Sequence, residues 1–316
     1  MKNHKIIFLF SGQGSQYRGM GQSLYEKNLV FRASLEKSDL IVRQLLNRSL
    51  IYELYESKDK DFDELLITHP AIVAVEIAMF EVLQSMNINP DYVCGNSLGE
   101  FAAAFASNVW DLETAIRFSI EQAKTIVNTG LEGGMLAVID NEKKLDKQRY
   151  LDYDLFLASD NFEGHYTLSG SVKNLDSFQI DSTKKGVNFV RLPVKIPFHS
   201  SLLFNELSHV KYPTINNLGL RNPTSGFVSG MKCKELNILP TNYFEQVISL
   251  YMNYTKTINY LEEKGACFYI DLGPSGTSAT FTKYNLDTKS NSKTFQIMTP
   301  FKREVQQLNE LKNYLN

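Results

Sequence analysis

The spacing of apolar and polar positions changes several times along the chain, and each change predicts an element. Lys5-Ile-Ile-Phe-Leu-Phe10 is a short, continuous apolar run closed by Ser11-Gly-Gln-Gly14, the pattern of a strand buried on both faces of a sheet. Residues 20–62 mix helical spacing at Leu24, Phe31 and Leu35 with charge, and the acidic run from Asp59 to Glu64 reads as a solvated loop and helix start. From Pro70, the apolar residues Ile72, Val73, Val75, Ile77, Phe80, Val82 and Leu83 predict a helix buried on more than one face, ending near Asn87 to Pro90. Asp91-Tyr-Val-Cys-Gly95 begins a second strand, which passes through Asn96-Ser97-Leu98-Gly99 into the alanine-rich stretch Glu100-Phe-Ala-Ala-Ala-Phe-Ala106. Asp111 is placed to cap a further helix, from Leu112 to about Thr129, which Gly130 stops.

At Gly133 the texture becomes a run of short elements: strands near 134–139, 155–158, 166–169 and 187–192, with a helix near 172–184. This alternation predicts a small domain at 131–194 inserted into a larger one made of 1–130 and 195–316. A last strand, Cys267-Phe-Tyr-Ile-Asp-Leu272, followed by Gly273-Pro-Ser-Gly276 and a helix, again suits a parallel α/β sheet with its site at the carboxyl ends of the strands.

Composition narrows the classes. The 316 residues are 43% hydrophobic and 22% charged with a net charge of −2, so no overall basic field favours nucleic acid or an anionic membrane. The N-terminal apolar run is too short for a signal-peptide core and no later run predicts a membrane span, which reads as a cytoplasmic protein. Cys94, Cys233 and Cys267 lack any metal-ligand spacing, and they read as buried thiols rather than a metal site.

The chemistry lies in Gly95-Asn96-Ser97-Leu98-Gly99. Gly-x-Ser-x-Gly between a strand and a helix is a nucleophile elbow: the central serine takes a strained turn that exposes its Oγ at the top of the sheet. The helix starting there presents its positive dipole end, and the N–H of Leu98 points where an oxyanion forms. The loop Gly12-Gln13-Gly14 lacks the spacing of a nucleotide cradle; it suits instead a close approach that brings the N–H of Gln13 in as the second oxyanion donor. Serine needs a base, and the histidines are His4, His69, His165, His199 and His209.

Phe10-Ser-Gly-Gln-Gly-Ser-Gln16 with Met20-Gly21, the elbow through Glu100, Thr68-His-Pro-Ala71, Pro197-Phe-His-Ser200 and Asp271-Leu-Gly-Pro274 together resemble the malonyl-CoA:acyl-carrier-protein transacylase family of acyltransferases. Within it the chain is most similar to stand-alone acyltransferase and acyl hydrolase homologues of polyketide synthases that lack built-in acyltransferases. The resemblance implies an α/β-hydrolase-like large domain with a parallel sheet and a ferredoxin-like α+β subdomain at 131–194. It makes His199 the base for Ser97 and implies that a backbone carbonyl, aligned to Ser249, orients that histidine.

It also exposes departures. Malonyl-handling members carry an arginine twenty-five residues beyond the serine to clamp the free carboxylate; this chain has Gln122 there. His69 stands where glutamine is usual, and Phe198 suits a compact acyl pocket; with Asn96 these are the residues expected around the acyl group. A neutral pocket implies a neutral acyl chain, because burying an unpaired malonyl carboxylate is costly. The resemblance therefore implies an enzyme that acts on acyl thioesters of an acyl carrier protein. It is expected to be a hydrolase clearing acetyl-like or longer groups, with a transferase of neutral or unusual acyl groups, or less favourably malonyl, as the alternative. A non-catalytic carrier-docking module is the alternative of another class. No metal or cofactor is expected, CoA or phosphopantetheine entering only as substrate carrier. Lys184, Lys185, Arg191 and Lys195 are candidates for a basic docking patch.

Overall fold

In a computed structural model, which describes residues 4–209 and 220–315, the chain begins with β1 (Lys5–Phe10), α1 (Gln22–Lys27), α2 (Leu29–Leu46), α3 (Leu50–Tyr55), α4 (Leu65–Ser85), β2 (Tyr92–Gly95), α5 (Gly99–Ala106) and α6 (Leu112–Asn128). It continues through β3 (Gly134–Ile139), a 3-10 helix (Lys147–Tyr153), β4 (Phe156–Phe162), β5 (His165–Gly170), α7 (Val172–Thr183) and β6 (Asn188–Arg191). The remainder is α8 (Ser201–Ser208), β7 (Gly226–Ser229), β8 (Lys234–Glu235), α9 (Tyr243–Val247), β9 (Met252–Asn253), α10 (Tyr254–Glu262), β10 (Cys267–Asp271), α11 (Thr277–Asn285), β11 (Lys293–Gln296) and α12 (Glu304–Leu315).

The larger sheet has the order β11-β10-β1-β2-β7-β8, parallel except for the last pair. Its centre is the apolar run β1, whose Leu9 lies opposite both Cys94 and Asp271. The carboxyl ends of β1, β2 and β10 therefore finish together, which is where an open α/β sheet places its site. α4 is long and apolar enough by length and composition to cross a membrane, but here it is the core helix, packed against α2, α5 and α6 with Ile72 to Met79 fully buried. It begins at Leu65 and so includes Pro70; the missing proline N–H removes one bond of the ladder, and burial of both flanks holds the helix through it. Cys94 is buried between Ile7, Leu9 and Val228, away from solvent.

The second sheet has the order β6-β3-β5-β4-β9. β3 to β6 pair antiparallel, with α7 and the 3-10 helix as crossovers, the ferredoxin-like arrangement. Leu136, Leu155, Leu168, Leu175 and Phe178 form its own core. Its fifth strand comes from elsewhere in the chain: Met252 and Asn253 pair parallel with Ser159 and Asp160. The sequence pattern does not announce β7, α9 or β11, which are four or five residues each, too short to display a period.

Candidate active site

β2 ends at Gly95, and Ser97 follows in the left-handed region with φ 55°. Glu100 N–H donates to the Ser97 carbonyl at 2.9 Å, so the helix begins on Ser97 itself. This crossing leaves no room at Gly99, where a Cβ would stand 2.3 Å from the Phe10 carbonyl oxygen and 2.7 Å from that of Ser11. β1 cannot retreat, being hydrogen-bonded on both sides. Gly99→Ala is accordingly expected to cost about 3 kcal/mol, read as a lower urea midpoint with an unchanged slope.

His199, also left-handed at φ 56°, places Nε2 2.7 Å from Ser97 Oγ and Nδ1 2.7 Å from the carbonyl of Leu250. A carbonyl only accepts, so Nδ1 carries the proton, Nε2 presents its lone pair and the serine hydroxyl donates to it. The orienting carbonyl is thus Leu250, not Ser249 as the alignment implies. After α9, Ser249 N–H and Leu250 N–H both donate to Gln246 O, winding the backbone so that the following carbonyl meets the imidazole.

Burial pushes the His199 pKa down to about 4, although the Leu250 carbonyl acts in the opposite sense. A general base must be neutral, so activity is lost only as pH falls through that value. The acid limb of kcat/KM is expected near pH 4, well below the ordinary histidine range; a limb at 6.5 would mean a solvated imidazole.

The glycine-rich loop lies against the elbow: a Cβ on Gly12 would be 2.7 Å from the Asn96 carbonyl oxygen and 2.9 Å from Ser97 Cβ. The N–H groups of Gln13 and Leu98 make no hydrogen bond to a described residue, leaving both as donors for an oxyanion. The Gln13 side chain is held away, its Nε2 donating to Thr68 Oγ1 at 2.8 Å.

A cavity of about 270 Å³ opens on this pair from between the two sheets. Ser97, His199, Asn96, Gln13 and Phe198 line it from the large domain, and Met135, Val190 and Leu192 from the small one. No lysine or arginine is among its lining residues. Asn161 and His165 also face it, 3.0 Å apart through Nδ2 and Nδ1; His165 carried no motif, and Asn161 no signal at all.

His69 and Gln122 do not line this cavity, contrary to the sequence expectation. His69 lies behind Phe198, stacked on it with ring centroids 6.0 Å apart, and complete burial holds its pKa down near about 3, so it is neutral. Gln122 is fully buried, its Nε2 donating to the Phe244 carbonyl at 2.9 Å. The basic residues expected near the junction face acids: Lys195 pairs with Asp63, Arg191 with Asp176 and Lys184 with Asp181. Arg117, on the helix of Gln122, pairs with Glu113 at 2.9 Å. Among the described residues no group of three His, Cys, Asp or Glu side chains is placed to hold a metal ion.

The chain is similar to known proteins along nearly all of its length. The chain is 35% identical to the polyketide biosynthesis acyltransferase homolog PksD of Bacillus subtilis, over 99% of this chain and 97% of that one. It is 28% identical to the malonyl CoA-acyl carrier protein transacylase of Bacillus subtilis, over 85% of this chain and 87% of that one. A malonyl-transacylase solved in complex with a type II polyketide synthase acyl-carrier protein shares its fold, with a TM-score of 0.82 at 20% identity over 98% of this chain and 99% of that one. The acyl transferase domain model matches residues 7–315, and with the elbow, the histidine and the two-sheet architecture in place, the chain belongs to the acyltransferase domain family.

Proposed function

We propose that this protein is an acyl-carrier-protein hydrolase of polyketide biosynthesis, removing neutral acyl groups through an acyl-Ser97 intermediate. The observation that carries the reading is the Ser97–His199–Leu250 relay opening on a cavity lined by no cation. Its setting in polyketide biosynthesis is supported by the name and near full-length similarity of the first relative.

His199 Nε2 takes the Ser97 proton as Oγ attacks the thioester carbonyl, and the N–H groups of Gln13 and Leu98 receive the oxyanion. The imidazolium then protonates the departing phosphopantetheine sulfur. Water enters, gives its proton to His199, attacks the acyl-serine, and the free acid leaves as Oγ recovers its proton. Replacing that water by a second pantetheine thiol gives an acyl transfer instead, through the same first half.

Intact-protein mass spectrometry of wild type with butyryl-carrier protein and a second, unloaded carrier distinguishes them. Free butyrate with the second carrier unmodified is expected. Quantitative loading of the second carrier with little free acid would sink the hydrolase and leave a transferase, and failure to form acyl-Ser97 would sink both.

A further inference from the structure

The backbone that holds the base belongs to one short stretch, 243–253. His199 donates its main-chain N–H to Ile248 O at 3.0 Å and its Nδ1–H to Leu250 O at 2.7 Å. Two residues on, Met252 and Asn253 join β4 of the small sheet. At its other end the stretch is fixed by two side chains that come from far away in sequence. Tyr243 donates its hydroxyl to the carboxyl group of Glu100, and Gln122 Nε2 donates to the Phe244 carbonyl.

The Tyr243–Glu100 and Gln122–Phe244 contacts are fully buried. Glu100 lies in the first turn of α5, the helix that rests on Ser97, and its Oε1 also accepts from Met231 N–H at 3.1 Å. One carboxyl group therefore links the nucleophile's helix to the support of the base. Gln122 Oε1 has no hydrogen-bond partner among the described residues, so the side chain's one polar contact is the Phe244 carbonyl. The Phe244 ring packs between Phe101 and Trp110, with centroids 5.1 and 4.2 Å away.

We propose that Glu100 and Gln122 are positioning residues for His199, acting through Tyr243 and Phe244 on the path of the backbone that ends at the Leu250 carbonyl. The inference rests on the reading of Ser97 and His199 as the reacting pair. Gln122 occupies its place for a structural connection rather than for contact with the acyl group. Losing either hydrogen bond leaves a buried partner unsatisfied and lets the Leu250 carbonyl drift, and a displacement of about 1 Å at the base is worth on the order of 10²-fold in rate.

The test uses Tyr243→Phe and Gln122→Met, which keep volume and remove one donor each. Steady-state hydrolysis of a butyryl thioester is followed across pH, with nitrogen-15 spectra of the histidines reporting the His199 tautomer. The two donor-deleted variants are expected to lower kcat about tenfold with KM within about twofold. Their acid limb moves to lower pH, since the Leu250 carbonyl favours the imidazolium, and the Nδ1–H tautomer gives way to a mixture. Unchanged kcat in folded variants, or a fall in kcat with the limb and tautomer unmoved, would overturn the proposal. Should Tyr243→Phe fail to fold, Gln122→Met alone decides it. Absence of acyl-Ser97 in the wild type marks the separate failure of the underlying reading, whereas normal acylation with unmoved profiles marks failure of this one.

Discussion

Replacing Ser97 with alanine is expected to cut release of butyrate from its carrier by about 10⁴-fold or more while the far-ultraviolet dichroism stays that of the wild type. The Oγ is the atom that meets His199 Nε2 at 2.7 Å, and no other hydroxyl is hydrogen-bonded to that ring in the described residues. Members of a reacting pair act as a unit, so His199→Ala and the double variant should fall to nearly the same floor. A serine-directed phosphonate should add one mass equivalent to the wild type and none to Ser97→Ala. Comparable acylation of the alanine variant would show that the elbow is not the site of covalent chemistry.

The second large effect is discrimination by charge. Neutral acyl groups should exceed malonyl by at least about 10²-fold in kcat/KM, because burying an unpaired carboxylate costs several kcal/mol and each 1.36 kcal/mol is about tenfold in rate. The cavity has no cationic lining residue. His69 is neutral and screened by Phe198, Gln122 is committed to a main-chain carbonyl, and Arg191 and Lys195 are already paired with Asp176 and Asp63. Competition between butyryl- and malonyl-carrier protein measures the ratio directly, and equal turnover of the two would overturn the account of the pocket.

Much of this site was legible in the residues. The elbow announces itself because Gly-x-Ser-x-Gly is dictated by local backbone geometry, and the sequence around it carries that geometry. The loop at Gln13 is readable for the same reason. What the chain does not spell out is direction and distance. His69 and Gln122 stand at the positions the resemblance picks out, yet spacing says nothing of which way a buried side chain turns once Phe198 and the Phe244 carbonyl compete for it. A main-chain acceptor has no side-chain signature, so Leu250 and Ser249 cannot be told apart until the turn after α9 is seen. The Glu100–Tyr243 bond spans 143 positions, beyond any local pattern. The small sheet is readable from its alternation, but its β9 edge consists of two residues contributed from about 90 positions further along the chain.

Ser97 and His199 share the left-handed backbone, φ 55° and 56°, a conformation that L-residues enter at a cost of about 1–2 kcal/mol and glycine enters freely. The two positions proposed to carry turnover are therefore among those where glycine would strain the backbone less. Ser97→Gly should unfold at a higher urea concentration than Ser97→Ala, by about 1 kcal/mol, although both are expected to be inert. A gain in thermal endurance from glycine at either proposed reacting position would therefore come at the expense of the proposed chemistry.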